Sequence, residues 1–189
     1  FSLKNKIAII TGGTGMLGRV YSCALHEAGA KIIILDKKID KKFFFTSIKK
    51  EFDLDLTKSE NIQLVKCDIT DKKSIDDAFK QISFNLKHLK ILINNASLVK
   101  QVGKDDIKST YIPFLKMKKK DWEEYFSVDL TGTLHVSQKV IPFMQRNGGG
   151  SLINISSIYG ILSPDQRIYS SFSKKTSSEI EKPIGYSIS

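Results

Sequence analysis

Cysteine and arginine are scarce in this chain and long apolar runs are missing, and each shortage removes a class of protein. Its two cysteines, Cys23 and Cys67, are too few for a disulfide framework in 189 residues. No metal-ligand spacing exists, and both read as reduced core thiols. Nowhere does an apolar run approach the roughly eighteen residues of a membrane span. No signal peptide is visible, because Lys4 and Lys6 precede a strand-like run that leads directly into a glycine turn. The expectation is a cytoplasmic protein with no membrane partner. Arginine occurs only at Arg19, Arg146 and Arg167, although the net charge is +10. The lysines are spread over helix faces and loops, without an aromatic-interleaved basic ribbon. The densest run, Lys116 to Lys120 around Met117, reads as a solvated loop before a helix, so no nucleic-acid partner is expected.

What is present points to a single domain with a real core, since 41% of the residues are hydrophobic. The chain is organised around Thr11-Gly12-Gly13-Thr14-Gly15-Met16-Leu17-Gly18. Upstream, Ile7-Ala8-Ile9-Ile10 has the character of a strand buried on both faces; downstream, Val20 to Ala28 reads as a helix ended by Gly29. Strand, glycine turn and helix in that order suit a pyrophosphate laid on main-chain N–H groups at the positive end of a helix. A structural turn is the plainer reading of such glycines. A second signal narrows the choice: Lys31-Ile32-Ile33-Ile34-Leu35 ends at Asp36, eighteen residues after Gly18, where a dinucleotide fold places the acid that holds the adenosine ribose hydroxyls. A carboxylate there repels a 2′-phosphate and argues for NAD. Lys37 and Lys38 follow at once and keep NADP open.

The segment from Lys37 to Glu60 reads as a helix with flanking loops, its Phe43-Phe44-Phe45 triplet more fitting for core than for a cofactor. A third strand, Ile62 to Cys67, ends at Asp68-Ile69-Thr70. There Asp68 can accept from an adenine amino group, while Thr70 or Asp71 caps a helix running to about Phe84. Strand four, Leu89 to Ile93, is followed by Asn94-Asn95-Ala96-Ser97, where small and amide residues let the backbone approach a ribose or tie strands together. A long loop from Leu98 to Lys120 precedes a helix that Asp121 is expected to cap and that stops at Asn147-Gly148-Gly149-Gly150. That loop can hold substrate, and the helix has apolar positions on more than one face, as a subunit contact would. Strand five, Ser151 to Ile155, ends in Ser156-Ser157. The alternation predicts an α/β fold, a doubly wound parallel sheet with ligands at the carboxyl ends of its strands.

Taken in order, the Thr11–Gly18 turn, Asp36, Asp68-Ile69-Thr70, Asn94-Asn95-Ala96 and Asn154-Ile155-Ser156-Ser157 resemble the short-chain dehydrogenase/reductase family over nearly the whole chain. The resemblance implies a Rossmann domain spanning 1–189. It implies hydride transfer between a nicotinamide and a carbonyl or alcohol carbon, with NAD as cofactor, NADP not excluded, and a small-molecule substrate. Its cofactor residues fall on Gly12, Thr14, Gly15, Met16, Leu17, Gly18, Asp36, Asp68, Ile69, Asn95 and Ala96, and its carbonyl-polarising serine on Ser157. The proton-transferring tyrosine falls on Tyr186, in a Tyr-Ser-x-Ser run; Tyr169 competes, but Lys174 and Lys175 stand at i+5 and i+6 rather than at the family's i+4. The sequence stops where a lysine would follow Ser189, so the C-terminal part of the fold is expected to be missing. Asp129 stands where the family commonly has asparagine, which puts its proton relay in doubt. The segment from Gly160 to Pro183 resembles the insertion of surface-sugar and flagellin-modification reductases and implies a sugar-type substrate. Dimers or tetramers through the Asp121–Asn147 helix are usual for the family. The competing reading is a dinucleotide-binding regulatory protein that has lost turnover.

Overall fold

The computed structural model describes residues 2–98, 111–169 and 180–189. They fall into two compact units, one made of Phe1–Ala96 with Gly132–Ile155 and the other of Ser97–Thr131 with Ser156–Ser189.

The first unit holds the sheet. Branched apolar runs give β1 (Ile7–Thr11), β2 (Lys31–Asp36), β3 (Ile62–Lys66) and β4 (Leu89–Asn94), joined by β5 (Ser151–Asn154). All pairs are parallel, in the order β3-β2-β1-β4-β5. Central strands of such a sheet are covered on both faces and need apolar residues at successive positions. Accordingly Ile32 to Leu35 are fully buried, while β5, paired only with β4, is exposed throughout. Helices α1 (Met16–Glu27) and α2 (Lys41–Phe52) cover one face, while α3 (Lys72–Gln81) and α5 (Thr133–Arg146) cover the other. Between the sheet and the first pair lies a core of Ile10, Cys23, Ile32, Ile34, Phe44, Ile48 and Ile93. On the opposite side Phe79 stacks on Phe143 at 5.9 Å, and Lys139 pairs with Asp76 at 2.6 Å. The doubly wound sheet expected from the alternation is the one formed.

Helix α1 starts at Met16, four residues earlier than the apolar pattern suggests, because the last glycine of the turn, Gly18, already belongs to its first turn. At the far end of the unit, the Lys90 ammonium donates to the carbonyls of Asn147 and Gly149 and closes α5 where the glycine run was expected to stop it.

The second unit contains α4 (Lys119–Phe126), a π-helical turn at Ser127–Gly132, a 3-10 turn at Ile158–Gly160, another at Gln166–Tyr169, and α6 (Ile184–Ile188). Asp121 does not cap α4. The helix begins two residues earlier, and Asp121 occupies its third position, where the carboxylate accepts the Lys118 N–H at 3.1 Å. The uninterrupted helix expected from Asp121 to Asn147 is instead divided by the π turn. The middle of the loop between Leu98 and Lys120, and of the segment from Gly160 to Pro183, lies outside the described residues, as do Lys174 and Lys175. Among the described residues no helix is long and apolar enough to cross a membrane, and no cluster of potential metal ligands occurs.

Of the phenylalanine triplet only Phe44 is fully buried, with Phe43 half exposed over Arg19 at 5.7 Å. Phe44→Ala is expected to lower the unfolding free energy by about 3–5 kcal/mol and Phe43→Ala by less than about 1 kcal/mol, measured by urea denaturation.

Candidate active site

The carboxyl ends of β1 and β4 flank the point where strand order reverses, the place at which a doubly wound sheet opens a crevice. The chain draws these ends together with polar groups. The Thr11 hydroxyl accepts the N–H groups of Asn95 and Ala96, both at 3.0 Å, while the Asn95 side-chain amide donates to the carbonyls of Thr11 at 3.0 Å and Gly12 at 3.1 Å. Asn95 thus spends its amide on holding the glycine turn. One strand further on, Asn94 donates to Asn154 at 2.9 Å and to Ser137 of α5 at 3.1 Å. The tie between neighbouring strands that the amide pair suggested is made by both residues.

Glycine is required here by space as well as by conformation. Gly12 has φ +61°, and a Cβ on it would lie 2.8 Å from the Ala96 Cα. At Gly18 a Cβ would come within 2.5 Å of the Gly13 Cα and 2.7 Å of the Gly12 carbonyl oxygen. Gly15 differs: only the Gly12 carbonyl, at 3.2 Å, is close to its Cβ position. It precedes α1, whose start has neither a side-chain cap nor an acidic residue in its first turn. The first N–H groups of that helix therefore face outward for an anion. Met16 and Leu17 extend beside them, 67% and 45% exposed.

Asp36, at the end of β2, reaches this turn. One carboxylate oxygen accepts the Thr14 hydroxyl at 2.6 Å and the Thr14 N–H at 3.1 Å; the other accepts the Lys38 N–H at 3.2 Å. Lys37 points elsewhere and pairs with Asp68 at 2.8 Å. Burial alone would raise the Asp68 carboxyl, but hydrogen bonds from Lys37 and from the Thr70 hydroxyl and N–H outweigh it and hold the group below its usual range. Asp71, not Thr70, caps α3 by accepting the Lys73 N–H at 2.9 Å, and Ile69 is buried between them. Cys23 and Cys67 are free, buried thiols whose pKa values burial raises, that of Cys67 to about 11, so neither is a ready nucleophile.

In the second unit Ser157 immediately precedes the turn Ile158–Gly160, where its hydroxyl oxygen accepts the Tyr159 N–H at 3.2 Å. That turn packs against α6, the helix of Tyr186. Close approach of α6 to α4 depends on Gly185, whose Cβ would lie 2.5 Å from the Tyr125 ring. Burial pushes the Tyr125 phenol up to about 12. Tyr169 ends the turn Gln166–Tyr169, its ring 5.6 Å from Tyr111, and burial with Tyr159 beside it pushes its phenol up to about 12 as well. Two contributors escaped the sequence reading. The Thr11 hydroxyl is visible there only as a polar residue at a strand end. Lys182 lies with its ammonium 4.1 Å from the centre of the Tyr186 ring, a contact that the i−4 spacing before a proline could have suggested.

Asp129, on the π turn, gathers three donors: the Leu98 N–H at 2.8 Å, the Ser97 hydroxyl at 3.0 Å and the Ser189 hydroxyl at 3.0 Å. Burial nevertheless raises its carboxyl above the ordinary value, because the bonds from Leu98, Ser189 and Ser97 do not fully replace lost water. A carboxyl raised by folding stabilises below its unfolded pKa and loses that contribution as the pH rises through the folded value. Asp129→Asn, which keeps an acceptor for Leu98, is therefore expected to raise the melting temperature at neutral pH, the gain vanishing as the pH falls towards ~4, in parallel thermal scans.

Comparison with known proteins agrees with this fold. Residues 6–179 match the family model described as short chain dehydrogenase. An uncharacterized oxidoreductase of Staphylococcus aureus is 28% identical over 169 residues, covering 89% of this chain and 65% of that protein. The 3-oxoacyl-(acyl-carrier-protein) reductase FabG of Thermotoga maritima is 26% identical over 168 residues, 88% of this chain and 62% of that one. Among solved structures, a short chain dehydrogenase from Leptospira borgpetersenii with bound NAD+ superposes with a TM-score of 0.71 at 25% identity, covering 98% of this chain and 60% of that one. The chain thus spans just under two thirds of the length of these relatives. With its parallel five-stranded sheet and glycine turn, it belongs to the short-chain dehydrogenase family.

Proposed function

We propose that this chain is the dinucleotide-binding part of an NAD(P)-dependent oxidoreductase that interconverts a carbonyl and an alcohol on a small molecule. The observation that carries the reading is the meeting of Asp36 with Thr14 at 2.6 Å beside the uncapped start of α1. A carboxylate and a row of free N–H groups stand together at one strand-end crevice, as a ribose and a pyrophosphate require. Gly12, Gly15 and Gly18 keep that surface clear of side chains, and the first N–H groups of α1, at Met16 and Leu17, receive the pyrophosphate. Asp36 accepts the ribose hydroxyls in place of Thr14. Asp68 and Ile69 form the adenine side, and Asn95 with Ala96 braces the turn. Pairing of Lys37 with Asp68 leaves the carboxylate of Asp36 to meet the 2′ position, which favours NAD over NADP.

The nicotinamide, when bound, supplies or takes the hydride. Ser157 orients and polarises the substrate oxygen through its hydroxyl, and Tyr186 gives that oxygen its proton in the reducing direction. Tyr186, in its Tyr-Ser-x-Ser run, suits the role better than Tyr169, at whose i+4 position stands Ser173 and not a lysine. The oxidoreductases among the relatives support the enzyme reading over an inactive regulatory one. For the substrate, the long segment from Gly160 to Pro183 suggests a sugar-type carbonyl, and the apolar faces of the helices from Lys119 to Arg146 suit a homodimer or homotetramer.

Two experiments test this. In titrations followed by NADH fluorescence, Asp36→Ala is expected to weaken NADH binding about tenfold and to improve the ratio of NADPH to NADH affinity. Unchanged affinities would remove Asp36 from the site. Carbonyl-dependent NADH oxidation, assayed over a panel of ketones, aldehydes and keto-sugars, is expected to fall at least ~100-fold in Tyr186→Phe and in Ser157→Ala with NADH affinity retained. Tight NADH binding with no turnover on any carbonyl would favour the regulatory reading instead.

A further inference from the structure

Lys182 stands directly before Pro183, the residue that opens α6, and four residues before Tyr186. A single amide grips its backbone: Gln166 donates to the Lys182 carbonyl at 3.2 Å, and the Lys182 N–H donates to the Gln166 side-chain oxygen at 2.8 Å. The ammonium is thereby set against two rings, 4.1 Å from the centre of Tyr186 and 5.9 Å from that of Tyr159, which follows Ser157 by two residues. Ring faces replace only part of the water that an ammonium gives up. Among the described residues no carboxylate pairs with it, and burial lowers the pKa of this lysine, the direction expected of an ammonium short of solvent and of a counter-charge. The charged groups beside it in the chain are occupied elsewhere: Glu181 accepts the Phe114 N–H at 2.9 Å, and Arg167, next to Gln166, pairs with Asp165 at 2.7 Å.

We propose that Lys182 is a substrate-selecting residue whose ammonium receives a carboxylate carried by the carbonyl compound, so that the substrate is a small oxo acid. The assignment rests on the roles proposed above for Ser157 and Tyr186, and it names the substrate class of that same site. A cation held partly out of water with no counter-ion is prepared for an anion. Its desolvation accompanies folding, so an arriving carboxylate gains a charge-assisted hydrogen bond without first stripping the lysine of its water. Gln166 and Pro183 fix the lysine backbone beforehand, and binding then orders little more of the chain. One ammonium matches one negative charge. A phosphate monoester carries more charge and is better met by an arginine fork, whereas the arginine at hand, Arg167, is turned to Asp165. Because the ring that the ammonium faces also carries the Tyr186 hydroxyl, the carboxylate and the reacting carbonyl fall within one small molecule. A neutral carbonyl compound of the same shape leaves the ammonium uncompensated, and that difference is the source of selection.

Binding is measured apart from turnover. The whole chain, labelled with carbon-13 in its tyrosine rings, is titrated by NMR with 2-oxobutyrate, acetoacetate, levulinate and keto-gluconate, with the methyl ester of each, and with inorganic phosphate. The Tyr186 resonance, assigned by Tyr186→Phe, reports occupancy with and without NAD+. At least one acid is expected to bind about tenfold more tightly than its ester; Lys182→Met is expected to erase that difference by weakening the acid, while Lys182→Arg, whose guanidinium also stacks on aromatic faces, keeps it within about threefold. A lysine that only packed against the rings would not separate acid from ester. Circular dichroism checks folding, and Lys182→Gln replaces the methionine variant if that one fails to fold. Acid and ester bound alike, no acid bound, or a difference that survives in the neutral variant overturns the proposal; phosphate bound through Lys182 more tightly than any acid overturns the choice of carboxylate. If carbonyl-dependent NADH oxidation is absent while an acid still binds through Lys182, the oxidoreductase reading falls and the carboxylate site stands. Turnover of carbonyls that is indifferent to Lys182 does the reverse.

Discussion

The contact on which the first unit depends is one of backbone on backbone, between the start of α1 and the turn before it. With the Cβ position of Gly18 only 2.5 Å from Gly13, a single methyl group would push the helix away from β1. The helix would then no longer start where the strand ends, and its free N–H groups would lose their common focus. Everything around this contact keeps it closed. Thr11 and Asn95 bind the ends of β1 and β4 to the turn, and Arg19, 7% exposed, holds the Thr14 carbonyl at 3.0 Å while forming a two-pronged pair with Glu51 of α2. One arginine therefore links the glycine turn to both helices on that face.

Much of this was legible because the elements in question obey local rules. Ile32 to Leu35 announce a strand buried on both faces, and the eighteen-residue step from Gly18 to Asp36 is set by the length of one helix and one strand. Such spacing survives without knowledge of side-chain directions. Asp121 was misplaced for the opposite reason: a carboxylate helps a helix start both at the cap and at the third position, and only the backbone decides between them. The π turn at Ser127–Gly132 has no marker in composition, so Asp129 could be recognised as a departure from asparagine without any sign of the three donors it gathers. The amides after β4 suggest a tie between strands, but that the Asn95 amide reaches the main chain of residues 11 and 12 is seen only in the fold. That direction depends on how two strands approach each other, which no single segment records.

The two groups of proposed site residues are built differently. Those for the dinucleotide sit at the ends of the strands and the start of α1, where the buried isoleucines of β1 and β2 leave little freedom. Ser157, Tyr186 and Lys182 sit on short turns and a five-residue helix, positioned by single contacts such as Gln166 on Lys182 and Gly185 on Tyr125. The first kind of construction conserves a shape across substrates, while the second lets a few substitutions change what is bound.

The hydrogen bond from Thr14 to Asp36 has a further consequence. A carboxylate waiting for a ribose would ordinarily be left to water each time the ligand departed. Here a hydroxyl of the protein already occupies the acceptor, at the distance a sugar hydroxyl would take. In the role proposed for Asp36, arrival and departure of a nucleotide would be an exchange of one alcohol for another, with the charge never stranded between them.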